Sequence, residues 1–481
     1  MGSRQLFLFS IIPFCHFVIR ILAQDLSIDT DEWGILLAGR LLLDGHLAGD
    51  PNKILELGLG MVLGGMDRPE GFPLLAAVFG ALTCSGLYAL LTLFCKTPGA
   101  PVLGWGIVVL SPVLYWQVLS ANSLVFAACF LIWSLYCYCR SRFVGGCVLL
   151  ALAGLSRPEP FILLIPVMGM LGWRLREGKG LGLLRGWGCV ALLMVAPAAW
   201  LVFNWVQSGD PWLSFKGVQA YNRPLHAGFG LGDFPSLLYR LLREYYFQIP
   251  AALGCVASLL YFLPRIRELI FPYAYLLFTL LGYALLSTRE VVLIERMLLP
   301  VYFYLVFFMA LLTDRISGFF AGEASKRGWS MALAVLPLWL VLALNLNFAQ
   351  HREIGNILEY HAGFDRDIGQ VVRILERDLE QGNRVVLLVS ARRESMLRYY
   401  LYDRKAQVSM TTYTGLFRDG RNLRKDKVNW VVYAPNDLFP PQMAFYSFDL
   451  LSPEGMTRQS LKVVAKHVLS DNTQLWRVGD A

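Results

Sequence analysis

Residues 5–37 read QLFLFSIIPFCHFVIRILAQDLSIDTDEWGILL. The stretch 5–22 is apolar enough, and long enough at about 1.5 Å per residue, to cross a bilayer as a helix. It gives way at once to Asp25, and then to Asp29, Asp31 and Glu32. A dense run of carboxylates just after a span marks the point where the chain emerges into water. A secretory signal would begin in the same way, but no small-residue cleavage site follows this one.

The alternation of apolar run and charged outlet continues along the chain. Of 481 residues, 56% are hydrophobic and only 16% charged, with a mean hydropathy of +0.50, which is far from a soluble composition. The runs recur to about Asn345 and predict about eleven spans, at 5–22, 72–95, 101–119, 122–139, 143–156, 160–173, 187–206, 247–263, 269–286, 297–313 and 329–348. Pro158 and Pro160 separate two short ones, 143–156 and 160–173, which fit tilted or broken helices. The fold class is a polytopic α-helical membrane protein.

Charge sets the orientation. With the N-terminus in the cytoplasm, the inner loops collect Arg4, Lys96, Arg140, Arg142, Arg174, Arg176, Lys179, Arg185, Arg265, Arg267, Arg315, Lys326 and Arg327. The acids gather outside, from Asp25 through Glu70 and at Glu159, Asp210, Asp233, Glu244, Glu290 and Glu295. That is the positive-inside asymmetry of a plasma membrane protein, here that of a bacterial inner membrane. It places a first outer loop, 23–71, and a central outer loop, 207–246, on the extracytoplasmic side. The net charge of +8 is then a matter of topology and implies no nucleic acid. The nine cysteines lie in or beside hydrophobic runs, none beyond residue 255, and suggest neither a disulfide framework nor a zinc-type pair.

After Asn345 the composition turns charged, dividing the chain into a membrane module, 1–349, and a small extracytoplasmic α/β domain, 350–481. RDIGQVVRILERDLEQG is an amphipathic helix that stops at Gly382. RVVLLVS (384–390), VNWVVYAP (428–435) and TQLWRVG (473–479) are strands, with helix-like RRESMLRYYLYD after the first. No GxGxxG or P-loop follows a strand, so nothing here argues for nucleotide binding. GLGMVLGG (58–65) has no following Lys-Ser/Thr and is expected to be a flexible loop.

The acids of the opening stretch have a bland explanation as a solvated boundary. Three carboxylates in four positions are less easily set aside when DEWGILLAGRLLLDGHL follows with apolar residues at helical spacing. The pattern is a helix lying along the membrane surface, ending at Gly45, with Asp31 and Glu32 at its N-terminus, where the helix dipole favours anions. An ionised carboxylate there can act as a general base or hold a divalent cation. No organic cofactor is required.

This run resembles the first outer loop of the GT-C fold glycosyltransferases, which opens with Asp-Glu and continues as a surface helix. The likeness is nearest to the bacterial branch of protein mannosyltransferases and lipid A aminoarabinose transferases. RPEGFPLL (68–75) resembles the opening of that family's second span, LSRPEPFIL (155–163) its SRPE segment, and ERMLLPVYF (295–303) its R-x-L-L-P entry to a late helix. SGDPWLSFKGVQAYNRPLHAG (208–228) is similar in position and character to its central outer loop.

The resemblance implies transfer of a sugar from a polyprenyl-phosphate donor to a lipid, glycan or protein hydroxyl, with inversion. It implies Asp31 as the base, with Glu32 orienting the acceptor or helping to bind a cation. Asp29 completes an Asp-x-Asp but precedes the family motif. Arg68, Arg296 and Arg157 fall where the family contacts donor phosphate. Arg157 and Glu159 equally admit a mutual ion pair that ties the fold. Asn222 and His226 stand in the central loop on the acceptor side, although a lone histidine is more often a surface or packing residue. Asn122, in SANS, stands where many relatives carry a second acid, which tells against a two-carboxylate metal site. The competing classes are a transporter or lipid flippase, which would show internal repeats and polar residues at mid-membrane, a non-catalytic scaffold of the same fold, and a polymerase or ligase using lipid-linked oligosaccharide.

The charge count generates a direct test. A periplasm-dependent reporter fused after residue 481 should be active, and a cytoplasm-dependent one inactive; the reverse result would turn the whole assignment of inner and outer loops over.

Overall fold

The computed structural model describes residues 3–23, 30–46, 53–65, 69, 71–176, 183–212, 216, 231–245, 258–266, 268–288, 298–321, 367–413, 416, 423–424, 426–434, 451–470 and 473–480. The helices of the first part are α1 (Ser3–Ala23), α2 (Thr30–Leu43), α3 (Ile54–Gly65), α4 (Gly71–Leu91), α5 (Gly99–Val109), α6 (Pro112–Leu119), α7 (Leu124–Cys139) and α8 (Phe143–Ser156). After a 3-10 turn, Glu159–Leu163, come α9 (Leu164–Arg176), α10 (Leu183–Ser208), α11 (Phe234–Tyr245), α12 (Ile270–Thr288) and α13 (Leu299–Ala321). Among the described residues, α1, α4 and α10 are long and apolar enough to cross a membrane, and the bent pair α5–α6 makes a fourth if it is one span. The expected span 329–348 and most of 247–263 lie outside the described residues.

The expected single span 101–119 is two helices, bent by 54°. Pro112 has no N–H to continue the ladder, and Ser111 accepts a hydrogen bond from the Leu114 amide instead, starting α6 afresh. At the centre of the bundle, α4 packs against α1, α5 and α7 through small residues. A Cβ on Gly80 would stand 2.5 Å from Val118 and 3.1 Å from Phe17, so the close approach depends on glycine. The far end of α4 is tied to α13 by Asp314, which is 3% exposed. Its carboxylate accepts from the amides of Lys96 and Thr97 and from the Thr97 hydroxyl, at 2.7–3.1 Å.

The segment 54–65, expected to lie within a first outer loop, is not a loop. The glycine-rich segment expected to be flexible is helix α3, packed along α2. Gly39 and Gly60 explain it: a Cβ on Gly39 would lie 2.3 Å from the Gly60 carbonyl carbon, and one on Gly60 2.7 Å from the Ile35 oxygen. These glycines serve backbone-to-backbone contact, which offsets their poor helix propensity. Helix α2 does end at Gly45, at φ +81°.

In the C-terminal part, a helix over 367–380 (α14) stops at Gly382, again at positive φ. Then follow β1 (Val385–Val389), α15 (Ala391–Tyr400), β2 (Val408–Thr412), β3 (Trp430–Tyr433), α16 (Pro453–Arg458), β4 (Leu461–Ser470) and β5 (Thr473–Asp480). The three expected strands are present as β1, β3 and β5, and β2 and β4 are additional. The sheet order is β2-β1-β3-β5-β4, with β1 parallel to both neighbours and the other pairs antiparallel. The two unexpected strands are the edges. They are half-covered or exposed, so their sequences lack the continuous apolar run that marks β1.

One apolar cluster joins the two parts. Trp33, Ile35 and Leu36 of α2, Phe72 and Ala76 of α4, and Ala121 and Phe126 at the start of α7 pack in one core with Val371, Leu375, Leu397 and Tyr399. Helix α2 is therefore enclosed between α3 and the C-terminal domain.

Gly39→Ala should lower the melting temperature of the detergent-purified protein, since overpacking costs about 1–3 kcal/mol. Gly58→Ala, whose Cβ meets nothing within 4 Å, should leave it unchanged or raised. Equal melting of both variants would remove the glycine contact as the reason for the α2–α3 pair.

Candidate active site

Helix α8 ends at Ser156 because Pro158 disfavours a helical conformation in the residue before it; Arg157 is extended, at φ −156° and ψ 146°. Pro160 then sits in the first turn of the 3-10 segment. The break aims two charges at each other. The Arg157 Nε donates to both oxygens of Glu159, at 3.0 and 3.2 Å, and Nη2 donates to Oε1 at 2.7 Å. Nη1 donates to Ser123 Oγ at 3.3 Å, which fastens the pair to the start of α7. Both charged side chains are 14% exposed.

Burial pushes the Glu159 carboxyl up, but the Arg157 charge and its hydrogen bonds, helped by Lys53, more than offset this and hold it below the ordinary carboxylate value. Lys53, just before α3, is 7% exposed. Tyr283 on α12 lies within electrostatic reach of both members of the pair. The turn beside Ser123 is strained: Ala121 adopts φ +55°, a region that favours glycine. It is held there by the amides of Ala121 and Asn122, bonded to the carbonyls of Val118 and Gln117. Such a conformation costs about 1–3 kcal/mol, and Ser141, Lys427 and Ser460 adopt it as well. Asn122 is spent on this turn, its Oδ1 accepting from the Leu124 amide at 3.0 Å.

Arg157 and Glu159 help to line a small pocket between α7, the 3-10 turn, α12 and the start of α13, with a volume of about 20 Å³, room for about one water molecule. Leu124, Ala127, Leu131, Leu163, Leu286 and Pro300 make the walls apolar. Ser123 lies in the chain between Ala121 and Phe126, two residues of the joint core.

Of the residues expected from the sequence, Arg157 and Glu159 are brought together, as the ion pair that was one of their two readings. Asp31 and Glu32 occupy the first turn of α2, with their side chains outside the described residues. Asp29, Arg68, Asn222, His226 and Arg296 also lie outside the described residues. Ser123, Lys53 and Tyr283 had not been singled out. The signal was present for Lys53, a cation at the start of a helix whose other charged residue is Glu56, but not for Ser123 or Tyr283, which only folding brings to Arg157. Among the described residues no cluster of His, Cys, Asp and Glu could hold a metal ion.

Glu159→Gln should destabilise the protein by about 3 kcal/mol at neutral pH, because it leaves a buried guanidinium uncompensated. The depressed carboxyl contributes stability above the unfolded value of about 4.3 that is lost as pH falls through the folded value, so the variant should lack that acid-side loss. Arg157→Met with Glu159→Leu should recover much of the stability. Melting curves against pH read all three, and an unchanged Glu159→Gln curve would mean the pair contributes nothing.

Compared with known proteins, the chain matches no family model and no curated protein.

Proposed function

We propose that the chain is a membrane glycosyltransferase that moves a sugar from a polyprenyl-phosphate donor to an extracytoplasmic hydroxyl, with Asp31 as general base. The observation that supports the proposal is the buried Arg157–Glu159 pair set among largely apolar pocket walls. The resemblance of four ordered segments to the GT-C glycosyltransferases supplies the reaction class. It also supplies the arrangement of about eleven spans with the N-terminus inside and the C-terminal domain outside, in keeping with the loop charges.

The chemistry follows from the charges. An acceptor hydroxyl must lose its proton as it attacks the anomeric carbon, and a carboxylate at a helix N-terminus stays ionised to take it. The departing polyprenyl phosphate needs positive charge. Arginine suits it through a planar fork of donors, which assigns Arg68 and Arg296 to the phosphate. Arg157 is already committed to Glu159 and Ser123, so its part is to shape the pocket.

Single-turnover transfer from a polyprenyl-phosphate sugar, with donor binding measured beside it, tests the proposal. Asp31→Asn should cost about 10²–10⁴-fold in rate with binding retained, since general-base loss has that size. Glu32→Gln should cost less, and Asp29→Asn least. Arg68→Ala and Arg296→Ala should each weaken donor use about tenfold or more, from the loss of a charge-assisted contact of about 1.5–3 kcal/mol. Full activity in Asp31→Asn would end the catalytic assignment. Substrate movement across vesicles without transfer would favour a carrier or flippase.

A further inference from the structure

Helix α2 carries the acids in its first turn and is gripped along the rest of its length by the C-terminal domain. Gly34 faces Ser395, a Cβ on the glycine standing 3.7 Å from the serine oxygen. Trp33, 2% exposed, lies with its ring 5.3 Å from that of Tyr399 and 5.2 Å from that of Tyr400. Two turns on, the Arg40 guanidinium covers the Tyr399 ring at 4.4 Å, and its Nη1 donates to the Tyr399 carbonyl at 3.1 Å. Asp44 accepts from Lys405 and from the Tyr402 hydroxyl.

The Gly34–Ser395, Arg40–Tyr399 and Asp44–Lys405 contacts follow one another along both segments, while Trp33 reaches across to Tyr399 and Tyr400. They span about 16 Å of α2, some three turns. On another side, α3 meets the α2 backbone at Gly39. A helix held on two sides and at several heights can neither slide nor rotate without breaking contacts. The Asp44–Lys405 pair is exposed and screened by salt, so it is the weaker part of the grip. Arg40 is the stronger. It combines a cation over an aromatic face with a bond to a carbonyl of the last turn of α15, where helix dipoles favour cations.

We propose that the C-terminal domain is a positioning element of the reaction site, and that Arg40 is the residue through which it fixes the rotation of the helix bearing Asp31 and Glu32. The inference rests on the glycosyltransferase proposal for the meaning of those acids, but the docking itself can be read without activity. Arg40 is a positioning residue and touches no reacting atom. Its loss should leave the donor bound and the base misplaced.

The test uses the full-length protein in detergent or nanodiscs, with synthetic polyprenyl phosphates carrying mannose or aminoarabinose as probes. Arg40→Met should lower the single-turnover rate by roughly 10²-fold, the scale of a misplacement of about 1 Å, with the donor Kd within about twofold of the parent. Hydrogen exchange at the amides of 33–37 should rise about tenfold or more in the same variant. Gly34→Cys with Ser395→Cys places two sulfur-bearing side chains at disulfide distance. Oxidation, confirmed by mass spectrometry of the linked peptide, should restore protection and most of the rate to Arg40→Met, and dithiothreitol should remove both again.

Parent-like rate and exchange in Arg40→Met would overturn the inference, as would a formed 34–395 disulfide that restores neither. A loss of donor binding in proportion to rate would also overturn it, since that makes Arg40 part of the donor site. If the parent transfers neither sugar, the glycosyltransferase proposal fails for these probes. The exchange pattern then decides the positioning claim by itself.

Discussion

The burial of α2 is the constraint on which the remaining arrangement depends. Trp33, Ile35 and Leu36 are all 2% exposed or less, yet no single neighbour covers them. The cover comes from α4 and the start of α7 on one side and from α14, α15 and β1 on the other, so the N-terminal helices and the C-terminal α/β part share one core. A short helix of 14 residues would be marginal alone. Its stability comes from this enclosure, and the enclosure in turn needs Gly39 and Gly60 to let α3 approach without side chains between the backbones. Two glycines that weaken each helix separately make the pair possible.

The second organising feature is the interruption of helices within the bundle. Proline ends α8 at Ser156 and starts α6 at Pro112, and the turn at Ala121 is held in a strained conformation by backbone bonds. Each interruption frees polar groups that a continuous helix would have satisfied internally, and the polar side chains gather where those interruptions meet. Ser123, Arg157 and Glu159 are the result, beside a pocket whose walls are largely apolar. At the opposite end of α4, the buried Asp314 does a purely structural job, receiving the amides of Lys96 and Thr97. Buried carboxylates thus occur at both ends.

Local signals in the sequence were enough for the secondary structure that burial enforces uniformly. The apolar runs at 5–22, 72–95 and 187–206 became long helices, and RVVLLVS, covered on both faces, became a central strand. Helix ends at Gly45 and Gly382 followed from the same local chemistry, because only a residue free to adopt positive φ closes a helix cheaply. The edge strands β2 and β4 escaped notice, since a half-exposed strand needs no apolar run and is defined by its partner.

The sequence by itself determined that the chain is mostly helix with a small C-terminal sheet, and that acids collect where the first apolar run ends. It also put Arg157 and Glu159 close together, two residues apart, while leaving open whether they would pair. Tertiary structure alone decided that they do, and that Ser123 and Tyr283 join them from 34 residues before and more than a hundred after. It alone turned GLGMVLGG into a helix and laid α2 against Tyr399, across a separation of more than 350 residues. The physical reason is range: propensity, capping and periodicity act within a few turns of chain. Close backbone approach, shared cores and paired charges depend on neighbours that exist only once the chain has folded.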